Sequence, residues 1–143
     1  MEYLHNVLED AQQKTIAHLR GHIEDYMRKY LPIITDGRYH NVRVKDDLSF
    51  EVWSEDKKDM IVPEDNLSKG TIDQFYLIAR FALLDILNKG VKSLVLLDDP
   101  FLGFDAGRKE RAREILADLT PAFQIIIFTH SPEYDNWGKV IEI

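Results

Sequence analysis

"SLVLLDDPFLGFD", residues 93–105, sets a contradiction whose resolution decides the fold. Four apolar residues, Leu94, Val95, Leu96 and Leu97, run directly into two carboxylates, Asp98 and Asp99. A short apolar run bounded by turn residues predicts a buried strand. Like charges at the tip of such a strand cost solvation free energy unless something cationic compensates them. Downstream, residues 106–119 predict a helix, "QIIIF" (residues 124–128) a second buried strand and "KVIEI" (residues 139–143) a short closing strand. Continuous apolar strands alternating with helices predict an α/β class, with a mixed, mostly parallel sheet covered on both faces.

Upstream, "NLSKGTIDQFYLIARFALLDILNKG" predicts a helix from about Thr71 to a stop at Gly90. Its apolar residues cover most of the circumference, with Asp73, Arg80, Asp85 and Asn88 on one side, so it is a mostly buried helix. Before it, "YHNVRV" and "LSFEVW" alternate apolar and polar residues around "KDD", the pattern of an antiparallel hairpin. The first 30 residues are rich in helix formers, and Pro32 is expected to end their helix. Within it, Ile16, Leu19, Ile23, Tyr26 and Tyr30 form a heptad-like stripe. That stripe has two readings: a face packed on its own domain, or the stump of a coiled coil. The expected division is residues 1–30 as this helix and residues 31–143 as one lobe.

At 143 residues the chain is large enough for a core of its own. A net charge of −7 argues against a nonspecific nucleic-acid surface over the whole chain, while leaving room for a local basic patch. The absence of cysteine removes disulfides and thiolate zinc sites. No apolar run is long enough to cross a bilayer and the N-terminus lacks a signal-peptide layout, so a cytoplasmic location is expected.

In open α/β sheets ligands bind beyond the carboxyl ends of the strands. Asp98 and Asp99 follow one predicted strand, and Thr129 and His130 follow the other. A carboxylate at a strand tip suits Mg²⁺, which takes oxygen ligands and keeps several waters. A second carboxylate beside it can orient or deprotonate water. The plainer alternative makes Asp98, Asp99 and Asp105 turn or cap residues. "LSKGTIDQ" (residues 67–74) places a hydroxyl and backbone N–H groups at the positive end of a helix, which is either an anion site or an ordinary Ser/Thr cap.

Together these segments resemble a known family. "LSKGTIDQ" looks like the signature motif of ABC-type ATPases, "LVLLDDP" like their Walker B strand, "FLGFD" like their D-loop and "IIIFTH" like the strand ending in the switch histidine. The four occur in the family's order. The resemblance is closest to the SMC/SbcC/RecN branch, in particular YhaN-like ATPases, where a turn similar to "DGRYHNVRV" precedes the signature, and it covers roughly residues 31–143. It implies that Asp98 binds Mg²⁺, Asp99 occupies the general-base position and His130 senses the γ-phosphate of ATP. It further implies that Ser68, Gly70 and Gln74 belong to the signature that caps a nucleotide held by a second head, and that Asp105 lies at the dimer seam. Arg80 would act as a relay; its plainer reading is a solvated charge.

Two features depart from that family. No G-x-x-x-x-G-K-[ST] phosphate loop occurs in the sequence, so nothing in it cradles the β- and γ-phosphates. The resemblance therefore implies a C-terminal lobe, with the Walker A lobe and a second head as partners and DNA handling or repair as the setting. Asp99 stands where most ABC ATPases carry Glu, with roughly 1.5 Å less reach, although YhaN-like relatives share the aspartate. Two rival readings stay open: a non-catalytic dimerisation or interaction module derived from such a lobe, and a stand-alone Mg²⁺-dependent hydrolase using Asp98, Asp99 and His130.

Overall fold

The computed structural model describes residues 2–88 and 90–142; Met1, Lys89 and Ile143 lie outside them. The chain divides into two units, Met1–Lys89 and Gly90–Ile143. The first contains α1 (Glu2–Ile34), β1 (Val42–Val44), β2 (Phe50–Ser54), β3 (Asp59–Ile61), α2 (Pro63–Asn66) and α3 (Lys69–Asn88). The second contains β4 (Ser93–Asp98), α4 (Ala106–Leu119), β5 (Phe123–Phe128) and a 3₁₀ turn (Pro132–Tyr134).

In the first unit, Ile23, Met27, Leu31 and Ile34 recur at helical spacing, so one face of α1 is buried, and α1 packs on α3 and β1. Phe75, Ile78 and Ala82 supply the buried face of α3. Phe75 stacks on Phe50 of β2 with ring centroids 5.8 Å apart, which ties the helix pair to the sheet. β1, β2 and β3 form an antiparallel sheet in that order, with Val42 opposite Val52 and Val52 opposite Ile61. An edge strand carries unpaired backbone groups, and α1 answers them with side chains. Arg20 Nε donates to the Val44 carbonyl at 2.9 Å and Arg28 to the Val42 carbonyl at 3.4 Å, while the Val44 N–H donates to Glu24 at 2.8 Å.

Pro32 does not end α1. The helix runs on to Ile34 with the proline inside it. Burial of Leu31 and Ile34 holds the last turn, and the Gly37 N–H closes it on the Pro32 carbonyl at 2.7 Å, with Gly37 at φ 75. Of the expected stripe, Ile23 and Tyr30 are buried, whereas Ile16, Leu19 and Tyr26 are partly exposed. Nearer the start of the helix, Tyr3, Leu4, Val7 and Leu8 are exposed. α1 is thus a packed helix in its second half and a bare one in its first.

In the second unit β4 and β5 pair in parallel, in register from Ser93–Phe123 to Asp98–Phe128. In place of one mixed sheet, the described residues form two separate small sheets, one antiparallel and one parallel. Nor is the parallel pair covered on both faces. Val95 and Phe123 point to a buried side, but Leu94 and Leu96 on the other face are 57% and 58% exposed, and Ile126 and Phe128 beside them 38% and 42%. "KVIEI" is not a strand over residues 139–142, and Val140 and Ile141 are exposed. A short segment becomes a strand only when a neighbour takes up its N–H and C=O groups, and among the described residues β4 and β5 pair only with each other. No helix among the described residues is long and apolar enough to cross a membrane.

Candidate functional site

The candidate residues fall into two groups, one in each unit. In the second unit, parallel register brings both strand ends to the same rim: Asp98 lies opposite Phe128, and Asp99 and His130 follow directly. Alternation along β4 puts Asp98 on the same open face as Leu94 and Leu96. At Asp99 the chain turns sharply with φ 39, while its N–H still extends the ladder to the Phe128 carbonyl at 2.9 Å. A non-glycine residue in this region costs on the order of 1–3 kcal/mol and persists only where its surroundings enforce it. Neither carboxylate has a hydrogen bond or ion pair among the described residues, and His130 is likewise exposed and unpaired.

The donor chemistry at this rim fits a hard cation in part. Among the described residues no group of three or more His, Cys, Asp or Glu is placed to hold a metal ion. Asp98 and Asp99 therefore offer a partial oxygen shell. That is the kind Mg²⁺ uses when water and phosphate oxygens complete its coordination, and it would not suffice for a metal caged by protein alone.

Asp105 has an ordinary structural task. It is the N-cap of α4, accepting from the Arg108 N–H at 2.8 Å, and the Arg108 guanidinium lies 3.3 Å from its second oxygen. That backbone hydrogen bond, then the nearby Arg108 and Arg111 charges, hold its carboxyl below the ordinary range.

In the first unit, Ser68 stands immediately before α3 and also works as a cap. Its hydroxyl lies 2.9 Å from the Thr71 hydroxyl and accepts from the Thr71 N–H at 3.4 Å, while its carbonyl accepts from Thr71 and Ile72. Gly70 lies in the first turn of α3, where helix N–H groups have no intrahelical acceptor. Gln74 is different: it is buried, 2% exposed, and its Nε2 has no hydrogen-bond partner among the described residues.

One cluster escaped the sequence reading. Phe101, Phe104, Tyr134 and Trp137 gather beside the rim, with Phe101 fully buried. Burial pushes the Tyr134 phenol up; Lys109 opposes this, and the Glu133 and Asp99 charges add to it. Lys109 of α4 also pairs with Glu133 in the 3₁₀ turn. The only signal in the sequence was the density of aromatics in "FLGF" and "EYDNW", and their meeting is a tertiary fact.

A family model described as "AAA domain, putative AbiEii toxin, Type IV TA system" matches residues 1–134. The chain is also 35% identical over 99 residues to the uncharacterized protein YhaN of Bacillus subtilis (strain 168), an alignment covering 67% of this chain and 10% of that protein. The chain thus spans about a tenth of the length of the curated relative it matches.

Proposed function

The chain belongs to this family of AAA ATPase domains, and from that premise we propose that it is the C-terminal lobe of an SMC/SbcC-like ABC ATPase head. In this reading it hydrolyses ATP to ADP and phosphate at a head–head interface once a phosphate-loop lobe is joined to it, in a cytoplasmic protein that handles DNA. The observation that carries the reading is the shared face of Asp98, Leu94, Leu96, Ile126 and Phe128. Asp98, whose carboxylate has no ion-pair partner among the described residues, crowns an apolar sheet face exposed to solvent. One complementary lobe would bury that face and bring a nucleotide, whose accompanying Mg²⁺ would supply the compensating positive charge.

Within that assembly each residue has a role. Bound Mg²⁺ would supply charge neutralisation at the phosphates, with Asp98 as its protein ligand. Asp99 would accept a proton from the attacking water, and with no hydrogen-bond or ion-pair partner among the described residues its oxygens are available for that. His130, exposed past β5, would contact the γ-phosphate. Ser68 and the Gly70 N–H would donate to the γ-phosphate held by a partner head, with Gln74 buried behind them and its Nε2 without a hydrogen-bond partner among the described residues. Asp105 would lie at the seam between heads while capping α4. The exposed first half of α1 would continue into a coiled coil.

Two variants, assayed with the phosphate-loop lobe supplied, test this reading. Asp99→Asn keeps shape but removes the base, so hydrolysis should collapse while ATP-driven pairing of heads survives. Ser68→Arg places bulk and charge where the partner's phosphate docks, so pairing should be lost while each head still binds nucleotide. Mixing the two gives dimers with one intact and one doubly defective site, and activity should partly return. If Ser68→Arg leaves pairing and hydrolysis unchanged, the signature assignment fails; pairing without any hydrolysis in the unsubstituted assembly would instead favour a non-catalytic docking lobe.

A further inference from the structure

The rim holds Asp99 and His130 on separate loops, and parallel pairing fixes only where those loops begin. Something must hold the loops to each other beyond the strand ends. We propose that the rings of Phe101, Tyr134 and Trp137 are positioning residues that weld the Asp99 loop to the His130 loop. This deepens the ATPase reading above and rests on it for the site's chemistry.

The geometry runs as a continuous chain of contacts. Phe101 is two residues beyond Asp99 and has no exposed surface. Its ring centroid lies 5.2 Å from Phe104 on its own loop, then 6.3 Å from Tyr134 and 5.6 Å from Trp137 on the other. Tyr134 and Trp137 meet edge-on at 4.8 Å, so the three rings form a closed triangle across the two loops. Each loop is also folded locally. The Phe104 N–H donates to the Phe101 carbonyl at 3.0 Å, and the Trp137 N–H to the Tyr134 carbonyl at 2.9 Å. On the His130 side, the Ser131 N–H donates to the Thr129 hydroxyl at 3.1 Å. Lys109 braces the back of the triangle through Glu133.

This arrangement also accounts for Asp99. A residue at φ 39 relaxes unless both sides are held. Its N–H is held by Phe128, and two residues on, Phe101 is anchored in the triangle. Trp137 is the test position, because it touches both Phe101 and Tyr134 yet is itself only half-buried.

Amide hydrogen exchange on the full ¹⁵N-labelled chain is the measurement. Trp137→Leu keeps apolar bulk and removes the ring pairs. It should speed exchange at the Asp99 N–H by roughly tenfold, the scale of losing one to two aromatic pairs, while Val95 within β4 changes little. Trp137→Phe should restore most of the protection. Unchanged Asp99 exchange, or a rise matched by Val95, overturns the weld. Should Trp137→Leu fail to fold, Phe104→Leu, which removes one ring from the Phe101 side, must show the same selective rise. With the phosphate-loop lobe supplied, kcat should fall in Trp137→Leu with KM nearly unchanged, and an unchanged kcat overturns the positioning role. Absence of hydrolysis in the unsubstituted assembly would instead overturn the ATPase reading, leaving the exchange result to judge the weld by itself.

Discussion

Gln74→Met puts the most direct question to the first unit. Gln74 is 2% exposed and its Nε2 has no partner among the described residues. A buried donor left unsatisfied costs about 1–3 kcal/mol. Methionine has the same unbranched length and no donor, and it adapts readily to irregular gaps. Taking the lower end, the substitution should stabilise the unit by about 1 kcal/mol, or roughly fivefold in the folding equilibrium. For a unit of this size, Met1–Lys89, such a gain corresponds to a melting shift of about 4–8 °C. Trp53 in β2 gives a local probe, so near-ultraviolet dichroism can follow the first unit's transition. The same variant should weaken ATP-driven pairing of heads when the phosphate-loop lobe is present. Stability would rise and function fall together, as expected where a polar group is retained for its site. Destabilisation by 1 kcal/mol or more would refute the reasoning, because it would mean that the amide is satisfied.

Two further outcomes are expected. Leu96→Glu alters an exposed side chain, so the melting temperature of the chain should move by no more than surface substitutions do, within about 0.5 kcal/mol. The same variant should abolish co-purification with the phosphate-loop lobe, and a several-degree fall in melting temperature would show instead that the face is already covered. Asp105→Asn preserves a cap side chain but removes the titrating carboxyl. Because the folded carboxyl is held below its ordinary range, its contribution is complete above about pH 4 and is lost as pH falls through the lowered folded value. The difference in urea midpoint between parent and variant should accordingly shrink on going from neutral pH to below that range, and a difference independent of pH would exclude the linkage.

The parts of the fold legible in the sequence are those whose cause is local. β4, α4 and β5 announce themselves through apolar runs, and Asp105 marks the start of α4 as a cap residue does. What escaped depends on distant partners. β3 is three residues long with one buried side chain, too short for alternation to declare itself, and it exists because β2 lies beside it. Pro32 reads as a stop, yet tertiary burial of Leu31 and Ile34 outweighs one missing hydrogen bond. "KVIEI" has the composition of a strand, yet among the described residues nothing pairs with positions 139–142. The site divides in the same way. Asp98, Asp99 and His130 could be placed at strand tips because strand ends follow from composition. The burial of Gln74 and the meeting of Phe101 with Tyr134 and Trp137 depend on packing, which no spacing rule contains.

The paired carboxylates at the tip of β4 and the bare sheet face are two aspects of one arrangement. In a parallel pair with both faces covered, Asp98 would lie at the rim of an interior, and its charge would need a cation there. Here it lies exposed at the edge of an open face, beside leucines that are exposed as well. Covering the face to bury Leu94, Leu96, Ile126 and Phe128 would strip water from Asp98 at the same step. The hydrophobic gain of assembly therefore carries an electrostatic cost, which Mg²⁺ with a nucleotide would offset. On the proposed reading, lobe assembly and metal-nucleotide binding are then thermodynamically linked, each strengthening the other by the same factor. Asp98→Asn breaks that linkage while leaving the apolar face intact. It should make joining of the two lobes less dependent on Mg²⁺ and ATP, and equal dependence in parent and variant would remove Asp98 from the metal's shell.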